Sequence, residues 1–355
     1  MKSDSNNTIY ITKKFFLILI CLVISIICIK YNFMSLFIYL SHPYKFVTEW
    51  KYNTFDRGMN YLPGHLTIDS KGYIYIAYNT PPIRESCIQK FDSNGNFIER
   101  WESEDDKSGQ YNCITDICTD SYDNIYIVDD GLSVSTNPRI LKFNNKGQFL
   151  SVISEKEKNC FSRPGYYQIA ADIKGNIFVT DSKSVQKIDS EGNFITRWRG
   201  LEGHASAIAL DSNGNVYVES SVDYSPDTNT GGVPYNLIDE DPFKNTIWYS
   251  SVSKFDSSGK ILHKNLYRKK TRRYPGIDEI ALDSHDNLFM AGYSENDIPI
   301  VICDNKGNFI GSFGSKSYEK GQIYMPQQDI ILDKENNAYI LDREKHCVQK
   351  FSPKN

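Results

Sequence analysis

The chain has 355 residues, 40% of them hydrophobic and 24% charged, enough for two ordinary domains or one large all-β body, and its formal net charge is −4. The first 43 residues carry Lys2, Lys13, Lys14 and Lys30 against Asp4, a net +3, so the remainder stands at about −7. An acidic body argues against nucleic acid as a partner, because phosphate affinity comes largely from clustered Lys and Arg.

In chain order, residues 1–14 read as a short cytoplasmic tail and residues 15–40 as a membrane anchor with its juxtamembrane segment. The run "FFLILICLVISIICI" at 15–29 is free of charge, and after Lys30, Tyr31 and Asn32 comes "FMSLFIYL" at 33–40. A span needs roughly 20 apolar residues, which carries the helix from Phe15 to about Tyr31 with Lys30 snorkelling toward the interface. The rival reading is a cleaved signal peptide. It lacks a small-x-small cleavage site after the apolar run, and neither Cys21 nor Cys28 follows the small residue that lipoprotein processing prefers. Lys13 and Lys14 ahead of the span predict a cytoplasmic N-terminus, with everything after about residue 40 on the extracytoplasmic side. The eight cysteines form no CxxC pair, and Cys87 in "CIQKF" and Cys347 in "CVQKF" read as small apolar residues at matching repeat positions.

From residue 66 onward one phrase recurs six times: "LTIDSKGYIYIAY" at 66, "ICTDSYDNIYIVD" at 117, "IAADIKGNIFVTD" at 169, "IALDSNGNVYVES" at 208, "IALDSHDNLFMAG" at 280 and "IILDKENNAYILD" at 330. Each is a short apolar strand, a turn of Asp, Asn and Gly, and a second strand of β-branched and aromatic residues. The turn aspartates at 69, 120, 172, 211, 283 and 333 are 51, 52, 39, 72 and 50 residues apart, a period that suits a four-stranded blade. A second hairpin follows most copies, as in "IQKFDSNGNFIERW" at 88 and "VQKIDSEGNFITRW" at 185. The sixth copy stops at "VQKFSPKN" without a fourth strand, whereas "YKFVTEWKY" at 44–52 matches "NFIERW" and has no first three strands of its own. The prediction is an all-β, six-bladed β-propeller over 44–355, its last blade closed by the strand at 44–52, which removes exposed sheet edges.

Carried by the apolar strand, the Asp-x-x-Gly-Asn turn and the aromatic strand that often ends in Asp, the chain resembles the NHL-repeat family of six-bladed propellers over residues 44–355. The resemblance implies the fold. Propellers of this kind serve as protein-binding, RNA-binding and enzymatic bodies, so it does not choose a function.

The turns between strands one and two and between three and four repeat closely, so variation gathers on the opposite face, where binding residues are expected. The largest departure is the insertion at 221–251 in blade four, "SVDYSPDTNTGGVPYNLIDEDPFKNTIWYSS", read as a cap over the channel mouth or a mobile excursion. A second is the basic stretch "YRKKTRRYPG" at 267–276, read as contact with anionic carbohydrate, lipid headgroups or the acidic 239–241, or as a solvated loop. Tyr235, Trp248, Tyr249, Arg272 and Arg273 are the ligand-binding candidates of this face.

The repeat also bears on an enzymatic alternative. Among NHL-type propellers, the peptidyl-hydroxyglycine amidating lyases look most similar in the phrase before strand one, where that family places a ring of metal-binding His. Here the equivalent positions, five before each turn Asp, are Gly64, Thr115, Tyr167, Ser206, Asp278 and Gln328, with no His among them. One position later stand His65, Asp116, Gln168, Ala207, Glu279 and Asp329. If strand one is innermost, His65, Asp116, Glu279 and Asp329 converge at the channel mouth and suit a hard cation such as Ca²⁺; otherwise each caps its own blade. Asp129, Asp181 and Asp342, which end strand two, read as turn-forming residues. No Gly-rich phosphate loop, G-x-S-x-G elbow or HExxH helix is present. The leading expectation is therefore a membrane-anchored module that binds a protein or glycan. The alternative is a metal-dependent lyase or hydrolase at the channel mouth, and convergence of the four side chains separates the two.

Overall fold

The structure, a computed structural model, describes residues 43–52, 55–56, 59–60, 62–80, 85–103, 109–130, 138–153, 167–181, 183–224, 247–271, 276–292, 299–324 and 329–354. The tail and anchor, Tyr235, Arg272 and Arg273, and residues 225–246 of the insertion lie outside the described residues, as does the side chain of Trp248. Among the described residues no helix is long and apolar enough to cross a membrane.

Six four-stranded antiparallel sheets follow one another along the chain. Blade one is Leu62–Ile68, Ile74–Thr80, Glu85–Phe91 and Phe97–Glu102; blade two is Ile114–Thr119, Ile125–Asp129, Arg139–Phe143 and Phe149–Val152. Blade three is Ile169–Ala171, Ile177–Asp181, Ser184–Ile188 and Phe194–Arg199; blade four is His204–Leu210, Val216–Tyr224, Ile247–Phe255 and Ile261–Thr271. Blade five is Glu279–Leu282, Leu288–Ala291, Ile300–Cys303 and Phe309–Phe313. Blade six takes Asp329–Leu332, Ala338–Asp342 and Cys347–Pro353 from the end of the chain, and its fourth strand, Tyr44–Lys51, from the beginning. The first strands form a closed ring, each beside those of its two neighbours, so strand one lines the central channel.

The repeat phrase is explained by its turn. In blade two the Asp120 carboxylate accepts the backbone N–H groups of Tyr122 and Asn124, the Asn124 side-chain amide and the Tyr126 hydroxyl. Asp69 and Tyr75, and Asp333 and Tyr339, repeat the Asp–Tyr bond at 3.0 and 3.1 Å. The fourth turn residue needs a left-handed backbone, which Gly adopts without strain. Where it is Asp123, Asp286 or Asn336 instead (φ of 62°, 60° and 62°), the side chain ties the turn to the preceding blade. Asp123 accepts the backbone N–H and hydroxyl of Ser70, Asp286 those of Ser212, and Asn336 the N–H of Ser284.

Three junctions between blades are made by a tryptophan at the end of strand four that lies over the glycine of the next blade's outer turn, Trp101 on Gly147, Trp198 on Gly259 and Trp50 on Gly95, while Ile153 meets Gly192 and Leu266 meets Gly307 at two others. Any Cβ at Gly147, Gly259 or Gly95 would overlap the indole ring, so the sequence must keep them bare. Trp50 belongs to the closing strand, whose register runs from Tyr44 opposite Pro353 to Lys51 opposite Cys347. The ring is thus sealed by the same contact that joins blade one to blade two and blade three to blade four. Cys87 and Cys347 are buried, as their apolar repeat position implied.

Blade four departs from the sequence reading in two places. Strand two continues to Tyr224 and strand three begins at Ile247, so the insertion between strands is shorter than 221–251. Likewise Tyr267, Arg268, Lys269 and Lys270 are not loop: they extend strand four and pair with Val252, Ser251, Ser250 and Tyr249. The cause is that β-branched and aromatic content resumes on both sides of the insertion, while the alternation of the basic stretch was masked by its charge. Tyr249 stacks under Arg268, 4.7 Å from ring centroid to guanidinium carbon.

Candidate functional site

Strand one is the edge strand of every blade, so the N–H groups on its channel side have no ladder partner. In three blades the side chain four residues before the turn Asp answers that need. Asp116 accepts the N–H of Ile117 on its own strand and that of Ile169 on the next blade, both at 2.7 Å. Asp329 accepts the N–H of Leu66 across the closing interface at 2.6 Å, and Glu279 that of Ile280 at 3.0 Å. A bulge sets the aim of these side chains in blades one, two and four, where register skips Gly64, Thr115 and Ser206.

The side chains converge. His65 Nδ1 lies 3.3 Å from Asp116 Oδ1 and 3.6 Å from Asp329 Oδ2, and Glu279 sits in the field of both aspartates. The carboxyls line the polar end of a channel of ≈ 280 Å³ walled by the six first strands. Two larger hollows, ≈ 430 and ≈ 690 Å³, lie at the opposite end among the repeat turns, whose aspartates are bonded within those turns. The carboxyl cluster is at the smaller one. Gln168 is buried beside the cluster without charge, and Ala207 leaves the sixth position apolar.

Burial dominates the electrostatics. It pushes the carboxyls of Asp116 and Glu279 well above the ordinary carboxylate range, each raised further by the negative charge of Asp329, and lifts Asp329 to about 7. It also drives His65 down to about 3, with the nearby Arg343 cation adding to the effect. With Asp116 and Glu279 raised well above that range and Asp329 at about 7, the carboxyls of the cluster keep protons near neutral pH around a neutral imidazole, whose Nδ1 has no hydrogen-bond partner among the described residues.

Three further groups at the mouth were not proposed as site residues from the sequence. Arg343, at the end of strand two in blade six, donates through Nη2 to Gly64 O and faces the charges of Asp329 and Asp278. Burial raises the Asp278 carboxyl well above its usual range, and its Oδ2 has no hydrogen-bond partner among the described residues. Glu219 is fully buried and accepts the hydroxyls of Ser206, Ser221 and Ser250. Desolvation lifts its carboxyl to about 7. The signal for Glu219 was in the repeat alignment: the other copies place Ala77, Val128, Thr180, Ala291 and Leu341 at that core position. Asp129, Asp181 and Asp342 do hold loops, each accepting two backbone N–H groups.

The donor set does not fit the expected Ca²⁺. Carboxyl oxygens are committed to backbone N–H groups, a half-buried imidazole stands among them, and no group of three or more His, Cys, Asp or Glu among the described residues is placed to hold a metal ion.

The six-bladed propeller fold is similar to that of solved proteins. A gluconolactonase of Xanthomonas campestris, described as important in glucose secondary metabolic pathways, matches 88% of this chain and 98% of its own at 12% identity with a TM-score of 0.50. A candidate gluconolactonase matches 86% of this chain and 91% of its own at 9% identity with a TM-score of 0.52. At such identities the likeness shows the fold alone. No protein-family model and no curated protein matches the sequence.

Proposed function

We propose that this NHL-like propeller is an acid–base enzyme, a hydrolase or lyase acting on a small polar substrate at the loop-face mouth of the channel. The observation that carries the reading is the convergence of His65, Asp116 and Asp329 within 3.3–3.6 Å, with Glu279 in their field. A general acid–base group works best with its pKa near the operating pH, and Asp329 at about 7 meets that condition. The protonated partner of the cluster supplies the acid, ionised Asp329 takes a proton from an attacking water or from carbon, and neutral His65 sits between the two aspartates as a polar wall of the site. Arg343 is placed to steady negative charge developing on the substrate. That two neighbours in fold bear the gluconolactonase name is consistent with hydrolysis; the weight rests on the cluster.

The test is turnover of aldonolactones and aryl esters by the wild-type chain and by Asp329→Asn and Asp116→Asn variants. The expected result is turnover that falls about 100-fold or more in either variant. Absence of turnover by the wild type on both substrate classes, or equal rates in all three proteins, would sink the proposal.

A second reading, binding of a protein or glycan through the variable-loop face, is favoured by blade four. Its strands Val216–Tyr224, Ile247–Phe255 and Ile261–Thr271 have 9, 9 and 11 residues, against 7 or fewer for those of blades one, two, three and five. They carry Tyr249 and Arg268 beyond the ring as a platform beside the mouth. We further propose that residues 15–40 anchor the chain in a membrane with the propeller on the extracytoplasmic side.

A further inference from the structure

Large apolar side chains are expected to stand exposed singly and on all sides of a propeller, but here they do not. Among the described residues thirteen are exposed, and all but Tyr318 lie on the repeat-turn face or its rim. They recur because each fourth strand opens with an apolar pair just after its turn. Phe97 and Ile98 in blade one and Phe309 and Ile310 in blade five are 41–58% exposed, and blades three and four repeat the pair. Leu150 and Val47 hold the second place in blades two and six, both 48% exposed, and Tyr122 and Ile173 add 72% exposed side chains from the turns themselves.

Connectivity points to the same edge. Phe46 pairs with Phe351 in the closing strand as Phe97 pairs with Phe91 in blade one, so Tyr44 and Lys45 stand where the other blades have their outer turn. The first strand of the propeller therefore starts at the turn face, at Tyr44. Only residues 41–43 separate Leu40 from Tyr44, a reach of at most about 14 Å.

We propose that the repeat-turn face is a lipid-docking surface: its ring of exposed apolar pairs rests in the interfacial zone of the membrane, and the acid–base mouth faces away into the aqueous compartment. The proposal rests on the anchor reading of residues 15–40 and not on the enzymatic one. The turns also carry an aspartate in nearly every copy, so the face suits zwitterionic headgroups and is repelled by anionic lipid.

The experiment uses the full chain with phosphatidylcholine vesicles. Flotation reads the anchor, and amide hydrogen exchange on the floated protein reads the face. The expected result is flotation, with exchange at residues 95–98, 147–150 and 307–310 about tenfold slower than in an Ile98→Ser, Leu150→Ser, Ile310→Ser variant that still floats. Replacement of part of the lipid by phosphatidylglycerol is expected to weaken the protection. Failure of the wild-type chain to float would overturn the anchor and the docking surface together. Flotation with no difference between wild type and variant, or protection at loop-face residues 109–113 instead, would overturn the docking surface and leave the anchor standing.

Discussion

The two ends of the inner strands share one repeat and have opposite characters. At the turn end, Asp69, Asp120, Asp172, Asp211, Asp283 and Asp333 make the same bonds to the backbone of their own turns. At the mouth end, four residues earlier, the same strands carry His65, Asp116, Gln168, Ala207, Glu279 and Asp329. Where the residue repeats, it satisfies a backbone need that every blade has. Where it diverges, three acids, an imidazole and a guanidinium share a buried space with fewer partners than they can use, and protonation shifts follow.

The largest effect is expected at the turn end. Asp120→Ala removes four bonds, three of them inside one turn and one to Tyr126, and should cost about 3 kcal/mol or more in urea unfolding. It should leave the mouth titration unchanged; a loss under about 1 kcal/mol would mean that the turn is held by other contacts.

At the mouth the expected effect is on pH dependence. The folded-state pKa values of Asp329 and Glu219 are raised to about 7 from 3.8 and 4.5, so the folded chain keeps protons that the unfolded chain releases. Their contribution to stability is full below about pH 4 and is lost as pH rises through 7. The melting temperature should therefore fall from pH 5 to pH 8, and Asp329→Asn should recover about 5 °C of the difference at pH 8. A melting temperature in the variant that falls as steeply as in the wild type would refute the buried-proton assignment.

Smaller effects sharpen the contrast. Asp123→Gly keeps the left-handed turn and deletes only the two bonds from Ser70, so about 1 kcal/mol should be lost. Addition of 1 mM Ca²⁺, a hard cation that the cluster does not fit, should shift the melting temperature by less than about 1 °C. A rise of several degrees that is abolished in Asp116→Asn would restore the cation reading.

The fold was legible because each copy states the same local rules, including the orphaned strand at 44–52 that Trp50 locks onto Gly95. The convergence of His65 with Asp116 and Asp329 was legible as a register position once strand one was taken as innermost. Arg343 was not, because a charged residue after a strand-ending Asp looks like any exposed turn residue until the closed ring brings Gly64 above it. Glu219 was readable and overlooked: a carboxylate in a slot that five other copies fill with Ala, Val, Thr or Leu needs a local solvent, which Ser206, Ser221 and Ser250 provide.

The most direct measurement is a carbon-13 titration of the Asp and Glu carboxyls in wild-type protein and in Asp329→Asn. The cluster described above requires a carboxyl that titrates with an apparent pKa near 7, assigned by its disappearance in the variant, and a downward shift of the Asp116 and Glu279 titrations once the Asp329 charge is gone. If every carboxyl titrates below about pH 5 in the wild type, the mouth holds no proton at neutral pH and the acid–base proposal is contradicted.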